Sequence, residues 1–216
     1  MSSSLPYFTP SEVYVHNTPD DIWVSFLGKI YDLTPLVKQY EGSDIIKPIL
    51  ANAGKDISHW FQKETGQIRH YIHPIIDVSV PYAPHGPLPH IGPQVPTTAW
   101  RQLTHPPWWE DKKLIVGNLT KRARPIRLRN MNTGEQFTLT VCCEDKLKRI
   151  VERALPFNTH GFSYTYKFEG RVLDFNKTLH DNGIPDERDR YLSVGLDENY
   201  FIPALAMYFN DDLTVA

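Results

Sequence analysis

The chain has 216 residues, 41% of them hydrophobic and 22% charged, enough for one large domain or two of about 100 residues each with real cores. A net charge of -2 and a pI near 6.5 argue against a nucleic-acid protein, whose phosphate contacts need a basic footprint. No apolar run approaches the roughly 20 residues of a membrane span, and the opening Met-Ser-Ser-Ser-Leu-Pro lacks the regions of a signal peptide, so an intracellular protein without a membrane partner is expected.

The first zone, residues 7–80, is aromatic and aliphatic with few prolines. "DIWVSF" predicts a strand over 22–26, Gly28 a tight turn, and Ile30 and Tyr31 a second strand. A helix is expected after Asp32, within "IYDLTPLVKQYEGSD", and another around "DISHWF". His59, His70 and His73 lie in and just beyond that second element.

Residues 81–111 hold eight of the 18 prolines, which excludes regular helix or inner strand and predicts an extended, polyproline-like connector. This tract also carries Trp100, Trp108 and Trp109, three of the five tryptophans. So much aromatic surface is out of place on a free tether, so the tract is expected to lie pinned against a domain or a partner protein, with these tryptophans as docking residues.

Residues 112–216 have the rhythm of a small α+β domain. "RPIRLRNM" alternates, with Ile126 and Leu128 on one face and Arg127 and Arg129 on a solvated one, and Asn132-Thr133-Gly134 marks a hairpin into "QFTLTVCCE". Leu147, Ile150, Val151 and Leu155 recur at helical spacing, with Asp145 placed to cap the helix and Pro156 to end it. "YTYKFEGRVLD" predicts strand, Gly170 turn and strand; "KTLHDNGIPDE" a short helix and turn; "YLSVGL" and "PALAMYFN" further strands. The neighbouring Cys142 and Cys143 form neither a disulfide framework nor a zinc spacing; one core thiol and one exposed thiol are expected.

Strand, "YDLT", helix and then "AGKDISHWF" together resemble the cytochrome b5 haem-binding family over residues 7–74. The resemblance implies a pocket with two axial histidines, and this chain lacks both. Tyr40-Glu41-Gly42-Ser43 stands where the family has His-Pro-Gly-Gly, and Gly66 where the second histidine belongs. Tyr40 and His70 are the remaining candidate axial ligands, the first as a tyrosinate that favours ferric iron. The expected cofactor is therefore haem b under oxidising conditions, with an empty pocket as the alternative and Tyr40 as a plain helix-end residue. No other metal is expected, and no catalytic constellation is found.

The third zone resembles the ubiquitin-like β-grasp family over about residues 124–194, through its hairpin, helix and "KFEGRVLD" strand and turn. The sequence ends "NDDLTVA" without a diglycine, so a docking surface rather than a conjugated modifier is expected. The order of b5-like domain (7–80), connector (81–111) and ubiquitin-like domain with C-terminal extension (112–216) resembles a family of ciliary axoneme proteins. That resemblance implies a non-enzymatic radial-spoke stalk subunit in a hetero-oligomeric assembly with other spoke proteins. A haem-dependent redox sensor or electron-transfer partner is the alternative.

Overall fold

The computed structural model describes residues 5–83, 85–92, 98 and 103–210. The chain divides after Leu119 into two units.

The first unit opens with β1 (Tyr7–Phe8) and α1 (Pro10–Tyr14), whose Thr9 and Glu12 form a reciprocal capping box. The strands β2 (Asn17–Thr18), β3 (Asp21–Phe26) and β4 (Lys29–Asp32) follow, then α2 (Thr34–Gln39) and α3 (Lys47–Ala51). A small hairpin of β5 (His70–Ile72) and β6 (Ser79–Pro81) comes next, and β7 (Ile115–Leu119) closes the unit. The sheet order is β1-β7-β4-β3-β2, so the chain returns through the proline-rich tract to place β7 between β1 and β4. That pairing corrects the expected boundary at residue 112: residues 112–119 belong to the first unit, because the sheet needs β7 to join β1 to β4.

The blocks read from sequence do identifiable folding work. The Asp32 carboxylate accepts from Thr34 N–H at 2.9 Å, and the Thr34 hydroxyl oxygen accepts from Ile22 N–H at 3.0 Å, tying the start of α2 to β3. Asp56 accepts from the Ser25 hydroxyl at 2.9 Å and from Ser58 N–H at 3.0 Å. Gly54 has φ +75°, and a Cβ there would meet the Tyr14 carbonyl oxygen at 2.9 Å, so a side chain is excluded by both conformation and space. The expected helix around His59 is only a 3-10 turn, Ser58–Trp60, because Phe61 is already extended at φ -113°, ψ 152°.

The second unit holds β8 (Ala123–Asn130), β9 (Gln136–Cys142), α4 (Leu147–Ala154), β10 (Tyr164–Phe168), β11 (Arg171–Val172), α5 (Arg188–Ser193) and β12 (Ala204–Phe209). Its sheet order is β11-β10-β12-β8-β9, with β8 and β12 parallel at the centre and every other pair antiparallel. The α4 residues Leu147, Ile150, Val151 and Ala154 bury against Ile126, Leu128 and Val141 of the sheet. Cys142 is buried and Cys143 only partly exposed.

Three expectations fail in this unit. Asp145 does not cap α4; it turns inward to accept from Arg153 Nε at 2.9 Å. The short helix expected in "KTLHDNGIPDE" is a series of turns, organised by Asn182, whose amide donates to the Asp174 carbonyl at 3.0 Å and the Thr178 carbonyl at 2.9 Å. "YLSVGL", expected as a strand, contributes to α5; its Leu192 and Val194 are exposed, so no sheet face claims them. Among the described residues no helix is long and apolar enough to cross a membrane, and no group of His, Cys, Asp and Glu could hold a metal ion.

Candidate functional site

The place to look for a cofactor is the interior of the first unit between the end of α2, at Tyr40, and the turn at Gly66. Phe26, on β3, stacks on Tyr31 of β4 at 4.1 Å between centroids and on Phe61 at 4.2 Å, making a continuous aromatic wall. Trp108 of the proline-rich tract stands edge-on to that wall, at 5.8 Å from Phe26 and 6.0 Å from Phe61. Its side chain is buried, at 1% exposure, and Trp109 packs at right angles to it at 5.5 Å. Leu88 of the same tract is buried in the same core. Burial of a tryptophan removes about 150–250 Å² from water, which explains why a chain segment dense in proline is held down.

Hydrogen bonds fasten the tract near both places where the family would put an iron ligand. The Tyr40 hydroxyl lies 3.1 Å from His90 Nε2. At the other nitrogen of that ring, Trp108 N–H donates to His90 Nδ1 at 3.0 Å. Beside Gly66, Gln67 accepts from Trp109 Nε1–H at 3.1 Å and donates to Glu110 at 2.6 Å. The Tyr31 hydroxyl donates to the Trp109 carbonyl at 3.3 Å, and burial pushes that phenol's pKa up, keeping it a donor. His90 has φ 63°, a conformation unusual for a residue with a side chain, so its bonds to Tyr40 and Trp108 hold a strained position.

The candidate residues are therefore distributed as follows. Tyr40 meets His90, a residue that sequence reading had left without a role. His70 is not brought to Tyr40: it lies exposed on β5, and its Nδ1 faces the carbonyl of Ile68, just before that strand, at 3.0 Å. Trp108 and Trp109 dock onto their own unit, so neither presents a free face to a partner; the aromatic wall supplies the apolar area they cover. Trp100 lies outside the described residues. The indole N–H groups of Trp60 and Trp108 are buried with no acceptor among the described residues, so shape and the backbone bond to His90 hold Trp108 in place.

These residues do not fit haem in this arrangement. The hydroxyl that could reach iron is bonded to His90, the second candidate ligand points to solvent, and the space between is filled by an indole.

A family model described as a cytochrome b5-like haem/steroid binding domain matches residues 9–77. Over 208 residues the chain is 43% identical to cytochrome b5 domain-containing protein 1 of Homo sapiens, covering 96% of this chain and 91% of that protein. The chain belongs to the cytochrome b5 domain-containing protein 1 family. The Xenopus laevis protein of the same name is also 43% identical, with 96% of each chain covered, so the likeness runs through both units and the tract between them. By contrast, the L-lactate dehydrogenase (cytochrome) of Saccharomyces cerevisiae is 46% identical over only 55 residues, 25% of this chain and 9% of that enzyme.

The latch formed by the His90 contacts with Tyr40 and Trp108 depends on the protonation of the ring. Because Nδ1 accepts from Trp108 N–H, His90 must be neutral, with its proton on the Nε2 that faces Tyr40. Burial, and secondarily the ring of His105 at 4.7 Å, holds the His90 pKa below the usual imidazole range. A depressed pKa means that the neutral form stabilises the fold fully above the unfolded value of about 6.5 and that this is lost as pH falls through the folded value. The thermal midpoint of the first unit, followed by tryptophan fluorescence, should fall more between about pH 7.5 and 5 in the native chain than in His90→Gln. Parallel pH profiles would show that His90 does not control the latch.

Proposed function

We propose that the chain is a non-enzymatic docking subunit of the axonemal radial-spoke stalk that supports cilium beating, its b5-like unit serving as scaffold. The observation that carries this reading is Trp108, buried against the Phe26–Phe61 wall and bonded to the His90 that meets Tyr40. A pocket filled by the chain's own side chain has become core, and core positions surfaces rather than electrons.

The second unit is read as a ubiquitin-like β-grasp domain. Numbered from its own first strand, its sheet runs 2-1-5-3-4 with strands 1 and 5 parallel, and its helix follows the hairpin and crosses the sheet. The axonemal setting and the hetero-oligomeric assembly with spoke proteins rest on the resemblance of the whole chain to ciliary proteins. Expressing the tagged chain in ciliated cells and extracting isolated cilia with detergent tests it. Retention in the axonemal fraction is expected; release with the membrane and matrix fraction would sink the reading.

A haem-dependent redox sensor is the second reading, favoured by the family match over residues 9–77. It requires the Tyr40 hydroxyl to leave His90, with Trp108 withdrawn. A Soret band in protein purified under oxidising conditions, abolished by dithionite, is the result that would favour it.

A further inference from the structure

Arg124 sits on β8 in register with Ile126 and Leu128, on the face turned to the core, and is 4% exposed. Its Nη2 donates to the Ile184 carbonyl at 2.8 Å, and its Nε, also buried, has no hydrogen-bond partner among the described residues. No ion pair forms at Arg124 among those residues, because the nearby acids are taken. Asp186 accepts from Arg188 at 2.7 Å and lies 3.3 Å from Arg122; Asp189 holds Arg122 at 2.7 Å. The bonds from Arg188 hold the Asp186 carboxyl at about 2, so it stays ionised and committed to them. Three arginines thus face two acids, and the cation left over is the most buried of the three, a costly arrangement without an anion.

Arg124 is also part of the wall of a cavity of about 210 Å³ that Ile184, Pro185, Tyr191, Phe201 and Pro203 line on its apolar side and the paired Asp186 and Arg188 on its polar side. Glu169 and Glu187 border it as well, each facing an arginine of its own: Arg171 at 3.5 Å and Arg190 at 2.7 Å. From this charge imbalance and these walls we infer that the second unit binds a carboxylate carried on an apolar group, the chemistry of a peptide's C-terminal carboxylate with an apolar last residue. The planar guanidinium matches a carboxylate, and the prolines and aromatic rings match the apolar body. A phosphate dianion suits the site less, since three acids, Glu169, Asp186 and Glu187, border it and the apolar wall cannot solvate its remaining oxygens. The inference concerns the second unit alone and stands whether or not the chain is an axonemal subunit.

Titrating N-acetyl-leucine into the isotope-labelled full chain tests it, read by NMR at the Arg124 Nε–H resonance and the Ile184 amide. A saturable shift of both is expected, with none from N-acetyl-leucinamide or inorganic phosphate. Arg124→Gln should weaken binding about tenfold or more. Phe201→Ala, which trims a half-exposed ring, should weaken it about fivefold and decides the matter if Arg124→Gln does not fold. Equal shifts from the amide would reduce the site to an apolar hollow, and shifts from phosphate alone would make it a phosphate site. If no probe moves either resonance, Arg124 is a structural cation. Each of these three results overturns the inference.

Discussion

Replacing Trp108 by alanine should lower the stability of the first unit by about 3–5 kcal/mol, the cost of deleting a large aromatic from a packed core. The indole is buried against Phe26, Phe61 and Trp109, and its removal leaves a void that a tract rich in proline cannot collapse to fill. Leu88 and Trp109 share that core, so the segment around them should loosen too. Trp108→Phe should cost less, because the ring still meets the aromatic wall and the buried N–H without an acceptor is deleted. All five tryptophans precede residue 120, so urea unfolding followed by tryptophan fluorescence reports this unit. A loss under about 1 kcal/mol for Trp108→Ala would place the indole outside the core.

Asp145→Ala should destabilise the second unit by a similar amount, about 3–5 kcal/mol. Asp145 and Arg153 form an ion pair at 2.9 Å in which the side chains are 3% and 8% exposed, and the carboxylate also accepts from Cys142 N–H at 3.4 Å. Removing the acid strips this buried guanidinium of its carboxylate and the end of β9 of its acceptor. Asp145→Asn keeps the shape and the acceptor but not the charge, so it should recover only a small part of the loss. Replacing both residues by apolar ones of similar volume should recover more, because the desolvation of two charges disappears with them. Hydrogen exchange at the β8 and β9 amides measures this. Unchanged protection in Asp145→Ala would show the pair to be incidental.

What was legible in the sequence is what local geometry dictates. "YDLT" and "AGKD" read correctly because Asp32, Thr34, Gly54 and Asp56 hold local turns and strand ends together by bonds of their own. The alternation of Ile126 and Leu128 and the helical spacing of Leu147, Ile150 and Val151 gave strand and helix for the same reason. The failures are tertiary. Asp145 has the position of a cap, and only the presence of Arg153 two turns later turns it inward. Arg124 shares the parity of Ile126 and Leu128, a signal that marks it as buried, although it stands in a stretch dense in arginine. His90 lies 50 residues from Tyr40 in a tract whose proline content described its backbone and said nothing of its contacts. Trp108 and Trp109 did announce that their end of the tract is pinned, and the aromatic wall beneath them was visible only in three dimensions.

If His90 and Trp108 close the b5-like pocket, uptake of haem competes with closure. The most direct measurement is the affinity of the full chain for ferric hemin, native against His90→Ala. Losing the bonds to Tyr40 and to Trp108 N–H should tighten hemin binding about tenfold, the effect of two ordinary hydrogen bonds. Equal affinity would mean that the latch does not guard the pocket, and weaker binding that His90 serves the iron; either result rules out closure by His90.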